Sequence, residues 1–518
     1  MIVVYHLENK ITEVFSPDNQ KIKFDCTGTI AAGLIRLGVA FPDEKIVWCH
    51  LTYKEHLAVE KINTLLHHNK MMLSFRPKPD NFFDNSIGYV EESLFINVNK
   101  KVSYPTWQMS SYVGVIHASV LHVIGDKIVC DPDFDYYLCS MAKLCMPLGL
   151  LCYSEPQLLK SVEISDSPPT ASSLTLFRFV KQHYKTRWVF LLLFNLIFHE
   201  SKFKLFPFLL CFLNKNRSNI NFNLEDILVE SFLEGIVLKK IDVVIPTIGR
   251  KEYLYDVLLD LKSQTVLPKN VIIVEQNPFI DSVSELDFLS AEAWPFEIKH
   301  IFTHRAGACN ARNLALTIAE SEWIFLADDD IRIGGDFIER TFENIEKFGV
   351  KAVSLRCLQE KDVPTFKYIF QWGSFGSGCS VVAGHILKNC RFNLGFEFGY
   401  GEDSDFGMQL RNLGHDVLFS PEPSILHLKA PVGGFRTKPI LRWNSETIQP
   451  KPSPTVMLYL ISHNTKQQIL GYKTVLFFKY YKHQNSRNPF QYFTFFNKQW
   501  NQSVFWANQL KIDSWNFH

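Results

Sequence analysis

The sequence predicts an α/β protein, and two observations carry that prediction. From Lys239 onward, short apolar runs alternate with segments whose apolar residues recur at helical spacing, which is typical of βαβ units around a mainly parallel sheet. The apolar run Trp323–Ala327 then stops at three consecutive carboxylates, Asp328, Asp329 and Asp330. Because ligands bind at the carboxyl ends of strands in open α/β sheets, this strand end is the predicted centre of a binding site.

Composition limits the class of protein. A chain of 518 residues should form two or three domains, and 47% hydrophobic with 21% charged residues indicates a globular protein. The net charge of +1 argues against nucleic acid as the main partner. Eleven scattered cysteines without a CxxC pair favour reduced core thiols, and Met1–Lys10 lacks an export pattern, so we expect a cytoplasmic protein.

Residues 1–164 are predicted to form a separate α/β domain that is a degenerate copy of the later one. Two patterns recur in order: Thr29–Leu37 before Lys45–His50 resembles Ala308–Ala319 before Trp323–Asp330, and Asp133–Tyr136 before Ser154–Leu159 resembles Asp403–Phe406 before Glu422–Leu426. In such a copy Cys49 and His50 would stand where the acids should be, so it could not hold a metal in the same way. The alternative is coincidence between short sequences.

Two further segments flank the predicted catalytic domain, residues 237–440. Residues 165–236 form a linker with an apolar run, Trp188–Phe198, that is shorter than the ~20 residues needed to span a bilayer. A buried helical hairpin is the first interpretation of this run and a helix in the membrane interface the second. Residues 441–518 are aromatic and basic, which predicts helices packed on the catalytic domain, with docking on anionic lipid as the alternative.

Two clusters of acidic residues are the candidates for metal binding and catalysis. Asp328–Asp330 should repel one another and resist burial, so a compensating group is expected, and a hard divalent cation is the usual one. An acidic turn in water is the alternative. The second cluster, Glu402, Asp403 and Asp405, opens a helix that should end at Gly414, and a well-capped helix is its alternative.

Together these residues resemble the family 2 glycosyltransferases, which have the GT-A fold, over about residues 241–436. The resemblance has four parts in the family's order: Val244–Thr247 with Arg250, Val271–Glu275, Ala311–Asn313 ahead of Asp328–Asp330, and Gly401–Asp405. It implies transfer of a sugar from a nucleotide donor with inversion at the anomeric carbon. It also implies a DxD motif that holds the donor diphosphate through Mn²⁺ or Mg²⁺.

The resemblance assigns a role to each candidate residue. The metal would be held by Asp328, Asp330 and His427, with Asp330 as the direct ligand and Asp328 nearer the ribose. The donor would contact Pro246, Thr247, Arg250, Glu275, Arg312, Asp328 and Asp329. Asp403 would be the catalytic base, with Glu402 as its competitor or as a group that orients the acceptor. Where the family has an Asp pair, this chain has Glu275–Pro278, so the nucleotide base stays open.

We therefore predict a metal-dependent inverting glycosyltransferase that builds a surface polysaccharide from a nucleotide sugar and a glycan or glycolipid acceptor. Two competitors remain. A sugar-nucleotide nucleotidyltransferase would need a glycine-rich basic loop after its first strand, and Pro246–Lys251 is too short for one. A non-catalytic glycan-binding or scaffolding protein would not need both acidic clusters. The donor, the acceptor and the oligomeric state are not readable from the sequence.

Overall fold

The computed structural model describes residues 1–25, 27–78, 80–125, 127–160, 170–218, 221–233, 239–431, 440–483 and 488–516. The predicted boundaries at 164/165 and 236/237 lie outside these ranges, as does the C-terminal end of the predicted family match, residues 432–436. The division into four segments therefore stays a prediction.

The N-terminal half is built on a seven-stranded sheet with the order β2-β1-β3-β6-β4-β7-β5. Its strands are β1 (Ile2–Leu7), β2 (Lys10–Phe15), β3 (Lys45–His50), β4 (Met71–Phe75), β5 (Tyr104–Pro105), β6 (Val113–His117) and β7 (Leu151–Ser154). Its helices are α1 (Ile30–Ala40), α2 (Val59–Leu65), α3 (Ala118–Ile124) and α4 (Phe134–Cys145). The predicted helix and strand at residues 29–50 are α1 and β3.

Three helices, α5 (Ser173–His183), α6 (Arg187–Glu200) and α7 (Leu205–Cys211), follow the N-terminal sheet. One face of α6 is buried through Val189, Leu192 and Leu196, but the prediction of a buried hairpin is wrong for the outer faces. Phe198 is 67% exposed and Phe206 70% exposed. The apolar run covers all sides of α6, and only one side reaches a packing partner.

The second half is built on a nine-stranded sheet with the order β10-β9-β8-β11-β15-β13-β16-β12, to which β14 adds by pairing with β16. Its strands are β8 (Ile241–Thr247), β9 (Asn270–Gln276), β10 (Glu297–Thr303), β11 (Trp323–Ala327), β12 (Ile331–Arg332), β13 (Ala352–Leu358), β14 (Phe370–Gln371), β15 (Cys379–Ala383) and β16 (Leu418–His427). The prediction of a parallel sheet is confirmed for the strands β10, β9, β8 and β11. Beyond β11 the sheet is mixed, with β15 antiparallel to both neighbours, because a fully apolar run does not encode strand direction.

Helices cover both faces of this sheet and extend to the end of the chain. They are α8 (Lys251–Lys262), α9 (Phe288–Ala291), α10 (Ala308–Ile318), α11 (Phe337–Phe348), α12 (Gly384–Leu387), α13 (Glu402–Asn412), α14 (Pro454–His463), α15 (Lys466–Tyr481) and α16 (Pro489–Asn516). As predicted, the C-terminal helices pack on the catalytic domain, and Met457, Leu458, Phe496 and Trp500 join its core. Over the described ranges, no helix is both long and apolar enough to cross a bilayer.

Candidate active site

The three consecutive acids lie at the carboxyl end of β11, beside the end of β8. Because Leu326 pairs with Val244 in parallel register, the residues that follow the two strands emerge at the same sheet edge. On the other side Ala327 pairs with Cys379, so the loop before β15 also reaches this edge. Tertiary packing thus places the acids between two loops.

Asp329 is buried and is paired with Arg250. Its Oδ1 accepts a hydrogen bond from Nη1 of Arg250 at 2.6 Å, and the side chain of Thr247 is a close neighbour. Burial outweighs these contacts and raises the pKa of Asp329 to about 6. This side chain therefore anchors Arg250 rather than reaching far into solvent.

Asp330 is held by groups from the end of β16. Nε2 of His427 lies 3.3 Å from its Oδ1, the backbone N–H of Ala430 donates to its Oδ2 at 2.9 Å, and Nη1 of Arg250 lies 3.2 Å away. Burial alone would raise the pKa of Asp330, but the His427 hydrogen bond, the Arg250 charge and the Ala430 N–H together lower it. Asp330 is thus kept in its carboxylate form beside an imidazole.

Asp328 is the most accessible acid, with its side chain 37% exposed. Its Oδ1 accepts a hydrogen bond from Nη2 of Arg312 at 2.8 Å. Its Oδ2 packs so closely on Gly378 that a Cβ at that glycine would lie 2.0 Å away, which no real contact allows. The predicted compensation of the acids is therefore provided within the chain by two arginines and a histidine.

The second acidic cluster opens α13, at the opposite wall of the same space. The backbone N–H of Ser377 donates to Oδ1 of Asp403 at 3.0 Å. Burial and the proximity of Asp403 raise the pKa of Glu402 to about 7, and burial also raises the pKa of Asp403. The positive charge of Arg312 and the hydrogen bonds from Ser377 oppose this effect and lower the pKa of Asp403.

Asp328–Asp330 and two acids of the second cluster, Glu402 and Asp403, line one cleft of about 630 Å³, whereas Asp405 lies 2.7 Å from Nε2 of His463. The predicted site residues that line it are Pro246, Thr247, Arg250, Arg312, Asp328, Asp329, Asp330, Glu402, Asp403 and His427. Two acidic groups separated by 75 positions in the sequence (328 and 403) are therefore parts of a single site. Their individual roles stay predictions.

Glu275 is the predicted site residue that does not line the cleft. Its carboxylate accepts hydrogen bonds from Oγ of Ser284 at 2.6 Å and the N–H of Glu285 at 2.9 Å, and it lies 2.9 Å from Nε2 of His300. Glu275 thus stabilises the loop after β9, and its predicted contact with the donor stays a prediction. Gln276 lines the cleft instead, and its Oε1 accepts the N–H of Gly307 at 2.6 Å.

Glu397 is a cleft residue that sequence reasoning missed. Its carboxylate accepts the N–H groups of Cys309 at 3.1 Å and Asn310 at 2.9 Å, which are otherwise unsatisfied donors in the first turn of α10. A Cβ at Gly307 would come within 2.3 Å of this carboxylate. The sequence shows no signal for Glu397, because the helix that it caps begins 89 positions earlier (397 and 308).

The residues around Asp330 fit a divalent cation that is shared with a ligand. In the part of the chain that the structure describes, no group of three or more His, Cys, Asp or Glu side chains is placed so that it could hold a metal ion, so a cation here would need oxygen ligands from the bound substrate. Mg²⁺ is commonly held by one or two carboxylates together with substrate phosphates, and Mn²⁺ accepts oxygen ligands and imidazole. Asp330 and His427, whose Oδ1 and Nε2 lie 3.3 Å apart, supply such a partial set, and Asp328 lines the same cleft.

Comparison with known proteins agrees with this site. Residues 242–390 match the model of glycosyl transferase family 2. A curated relative, the succinoglycan biosynthesis protein ExoM of Rhizobium meliloti (strain 1021), is 28% identical over 145 residues, which are 25% of this chain and 47% of that protein. The chain thus spans about half the length of the curated relative that it matches.

Two solved structures with low similarity to this chain are given as examples. The S. aureus TarS fragment 1–349 in complex with UDP-GlcNAc has 16% identity and a TM-score of 0.32, covering 45% of this chain and 70% of that one. GalNAc-T7 with UDP, GalNAc and Mn²⁺ has 12% identity and a TM-score of 0.34, covering 43% and 48%. Likenesses at this level do not bear on what this chain binds. The family match does cover most of the cleft, because Arg250, Arg312 and Asp328–Asp330 all lie within residues 242–390, which match the model of glycosyl transferase family 2.

Proposed function

We propose that the protein transfers a sugar from a nucleotide-sugar donor to a saccharide acceptor in polysaccharide synthesis, with inversion and with a divalent metal. The observation that carries this proposal is the single cleft that contains both acidic clusters. One cluster lies at the end of the central strand among cations, which suits a diphosphate. The other lies at a helix start with raised pKa values, which suits a proton acceptor.

The donor side would be formed by the end of β11 and its partners. Asp328, Asp330 and His427 would hold Mn²⁺ or Mg²⁺, which stabilises the negative charge that develops on a departing diphosphate. Arg250 and Arg312 already lie against these acids, and guanidinium groups bind phosphate oxygens with good geometry. Binding of the donor would therefore exchange acid–arginine pairs for phosphate–arginine pairs.

The acceptor side would be formed by the start of α13. In a single displacement the acceptor hydroxyl oxygen attacks the anomeric carbon from the face opposite the diphosphate, and the bond from that carbon to the diphosphate oxygen breaks. Asp403 would take the hydroxyl proton, so the transferred sugar has the inverted configuration. The N–H of Ser377 donates to Oδ1 of Asp403, and in this proposal Oδ2 would take the proton.

A thermal-shift screen of the nucleoside diphosphates, each with Mn²⁺, with Mg²⁺ and with a chelator, tests the donor side. At least one diphosphate is expected to raise the Tm only when a metal is present, because ligands that bind the folded state stabilise it by RT ln(1 + [L]/Kd). The corresponding nucleoside, which lacks phosphate, is the control. Equal shifts with and without metal would contradict the metal requirement, and no shift with any diphosphate would contradict donor binding.

We further propose that the outer faces of α6 and α7 rest on an anionic membrane. Seven large apolar residues between positions 190 and 213 are at least half exposed: Phe190, Phe198, Phe203, Leu205, Phe206, Leu209 and Leu213. The exposed cations Lys185, Arg187, Lys202 and Lys215 border them, while Glu200 is paired with Lys202 at 2.7 Å. An apolar face with basic edges is the combination that binds at the surface of anionic bilayers.

Sedimentation with lipid vesicles tests this contact. The protein is expected to bind vesicles that contain phosphatidylglycerol more tightly than vesicles of phosphatidylcholine alone, and salt should weaken the binding. Phe206→Glu with Leu209→Glu should reduce binding by about tenfold or more, since each buried apolar side chain contributes roughly 1.5–3 kcal/mol. Val39→Glu, at an exposed residue of α1, is the control, and an equal loss in both variants would reject the surface.

A further inference from the structure

The sheet of the N-terminal half repeats the strand order and directions of the catalytic sheet. Outward from β1 the neighbours are β3, β6, β4, β7 and β5, and the successive pairings are parallel, antiparallel, antiparallel, parallel and antiparallel. The strands β8, β11, β15, β13, β16 and β14 are paired with the same sequence of directions. The chain also passes through β4, β5, β6 and β7 in the order in which it passes through β13, β14, β15 and β16. Order, direction and chain path together indicate two copies of one fold.

The pairing register agrees in the two halves at the end of the central strand. Cys49 of β3 pairs with the first residue of β6, as Ala327 of β11 pairs with the first residue of β15. Residues 50–52 therefore occupy the three positions that Asp328–Asp330 occupy in the catalytic half. These residues are His50, Leu51 and Thr52, so the copy has no carboxylate there.

The counterpart of the proposed base is still present but is engaged by its own neighbours. Asp135 is the second residue of α4, as Asp403 is of α13. Ser111 donates its N–H and Oγ–H to Asp135 at 2.9 and 2.8 Å, as the N–H of Ser377 donates to Asp403. Asp135 is buried and Nη1 of Arg76 lies 3.8 Å from it, so this acid is structural.

The donor half of the fold is reduced in the N-terminal copy. The catalytic sheet continues beyond β8 through the parallel strands β9 and β10, whereas among the described residues the N-terminal sheet continues beyond β1 with a single antiparallel strand, β2. The copy has thus lost both the acidic strand end and the outer parallel strands. The strands β4, β5, β6 and β7, which correspond to the acceptor half of the cleft, are kept.

A cavity of about 430 Å³ opens beside these retained strands. Four cationic side chains line it, Arg76, Lys78, Lys100 and Lys101, and none of the described residues in its lining is a carboxylate. Gln108 also lines it, and both polar atoms of its amide are buried without a hydrogen bond to the protein. Buried amide groups nearly always have partners, so this one indicates a bound ligand or water.

The cavity and the cleft are joined through one helix. Asn99 lines the cavity, and its backbone N–H and side-chain N–H₂ donate to Asn412 at 2.9 Å each. Asn412 is the last residue of α13, whose first turn carries Asp403. With 11 residues, α13 is about 16 Å long, which sets the separation between the two ends.

We propose that the N-terminal half is a non-catalytic copy of the glycosyltransferase fold whose cavity binds an anionic saccharide. The lysines and Arg76 would pair with its carboxylate or phosphate groups, and Gln108 would hydrogen-bond to its hydroxyls. That this saccharide is the acceptor, held by one end while the other reaches Asp403, rests on the function proposed above. Binding of an anionic saccharide in the cavity does not depend on that function.

Isothermal titration calorimetry of the full chain tests the binding. The probes are an oligosaccharide of hexuronic acids, a sugar phosphate, inorganic phosphate and a neutral oligosaccharide of similar length. One of the two anionic sugars is expected to bind and the neutral sugar is not, and which anionic sugar binds identifies the charged group. Lys101→Glu, at an exposed position, should weaken that binding by about tenfold or more, whereas Lys61→Glu on α2 should not change it.

Four results would overturn the proposal: no binding of either anionic sugar, equal binding of the neutral sugar, binding of inorganic phosphate as tight as that of the anionic sugar, or unchanged binding in Lys101→Glu. The metal-dependent shift with nucleoside diphosphate is measured on the same variants. Lys101→Glu should leave that shift intact. If nucleoside diphosphates do not raise the Tm but the anionic saccharide binds, the proposed transferase function alone is rejected. If nucleoside diphosphates raise the Tm but no anionic saccharide binds, saccharide binding by the cavity alone is rejected.

Discussion

Asp403→Asn is expected to lower kcat for sugar transfer by about 10²–10⁴-fold, the range that a positioned general base contributes. The amide has nearly the same shape, so the hydrogen bond from Ser377 to the remaining oxygen can be kept. It lacks a basic oxygen, however, and cannot accept the acceptor's proton at neutral pH. The measurement is steady-state transfer with the donor found in the thermal-shift screen.

Two further measurements distinguish a lost base from a damaged site. The metal-dependent shift with nucleoside diphosphate should be nearly unchanged in Asp403→Asn, because Asp403 does not belong to the donor side. Turnover close to that of the unmodified protein would show that another group takes the proton. Loss of both turnover and nucleotide binding would point to a structural role for Asp403.

Glu402→Gln is the matched variant, and pH separates its effect from that of Asp403→Asn. A base acts as its carboxylate, so transfer should fall as pH drops below the pKa of the acidic pair, whose Glu402 member has a pKa of about 7. Glu402→Gln removes one of the like charges near Asp403, which favours the Asp403 carboxylate, so this acid limb should move to lower pH. The groups that also face the pair, Arg312, Asp328 and Glu397, are unchanged in both variants.

Asp330→Ala is expected to abolish the metal-dependent part of nucleoside diphosphate binding. Replacing an outer-shell partner of a metal ligand costs roughly 10–100-fold in affinity, and loss of a direct carboxylate ligand should exceed that. The variant also frees His427 and the N–H of Ala430 from their shared partner. Titration of the diphosphate at fixed Mn²⁺, with and without chelator, measures the effect.

Asp336→Ala is the control for this variant, because Asp336 precedes α11 with its side chain 56% exposed, outside the residues that line the cleft. Asp330→Asn adds a check on folding, since the amide oxygen can still accept from Ala430. Unchanged metal-dependent affinity in both Asp330 variants would remove the metal role. The transferase proposal would then depend on Arg250 and Arg312 alone for stabilising the leaving group.

The sequence predicted the strand that ends in Asp328–Asp330, the helix that begins with Glu402, and ten of the residues that line the cleft. These features are encoded locally. An apolar run that stops at charges indicates a buried strand end, and acids in the first turn of a helix are favoured by its dipole. The family resemblance then joined the local features into one site.

The sequence could not predict which groups neutralise the acids or where Glu275 points. Arg250 reaches Asp329 and Arg312 reaches Asp328 only because β8, α10 and β11 pack together. Glu275 reads as a cleft residue in the sequence, but its carboxylate is used by Ser284 and His300 on the far side of β9. Contacts between distant segments depend on packing that no local pattern specifies.

The sequence by itself determined the α/β class, the two acidic clusters and the suspicion of a repeated fold, because apolar periodicity and charged strand ends are properties of neighbouring residues. Tertiary structure alone decided that Asp328–Asp330 and Asp403 share one cleft, that β15 runs antiparallel between β11 and β13, and that a basic cavity opens in the N-terminal half. The physical reason is that strand direction, register and cavity shape result from long-range pairing, in which residues far apart in the chain come to share one environment.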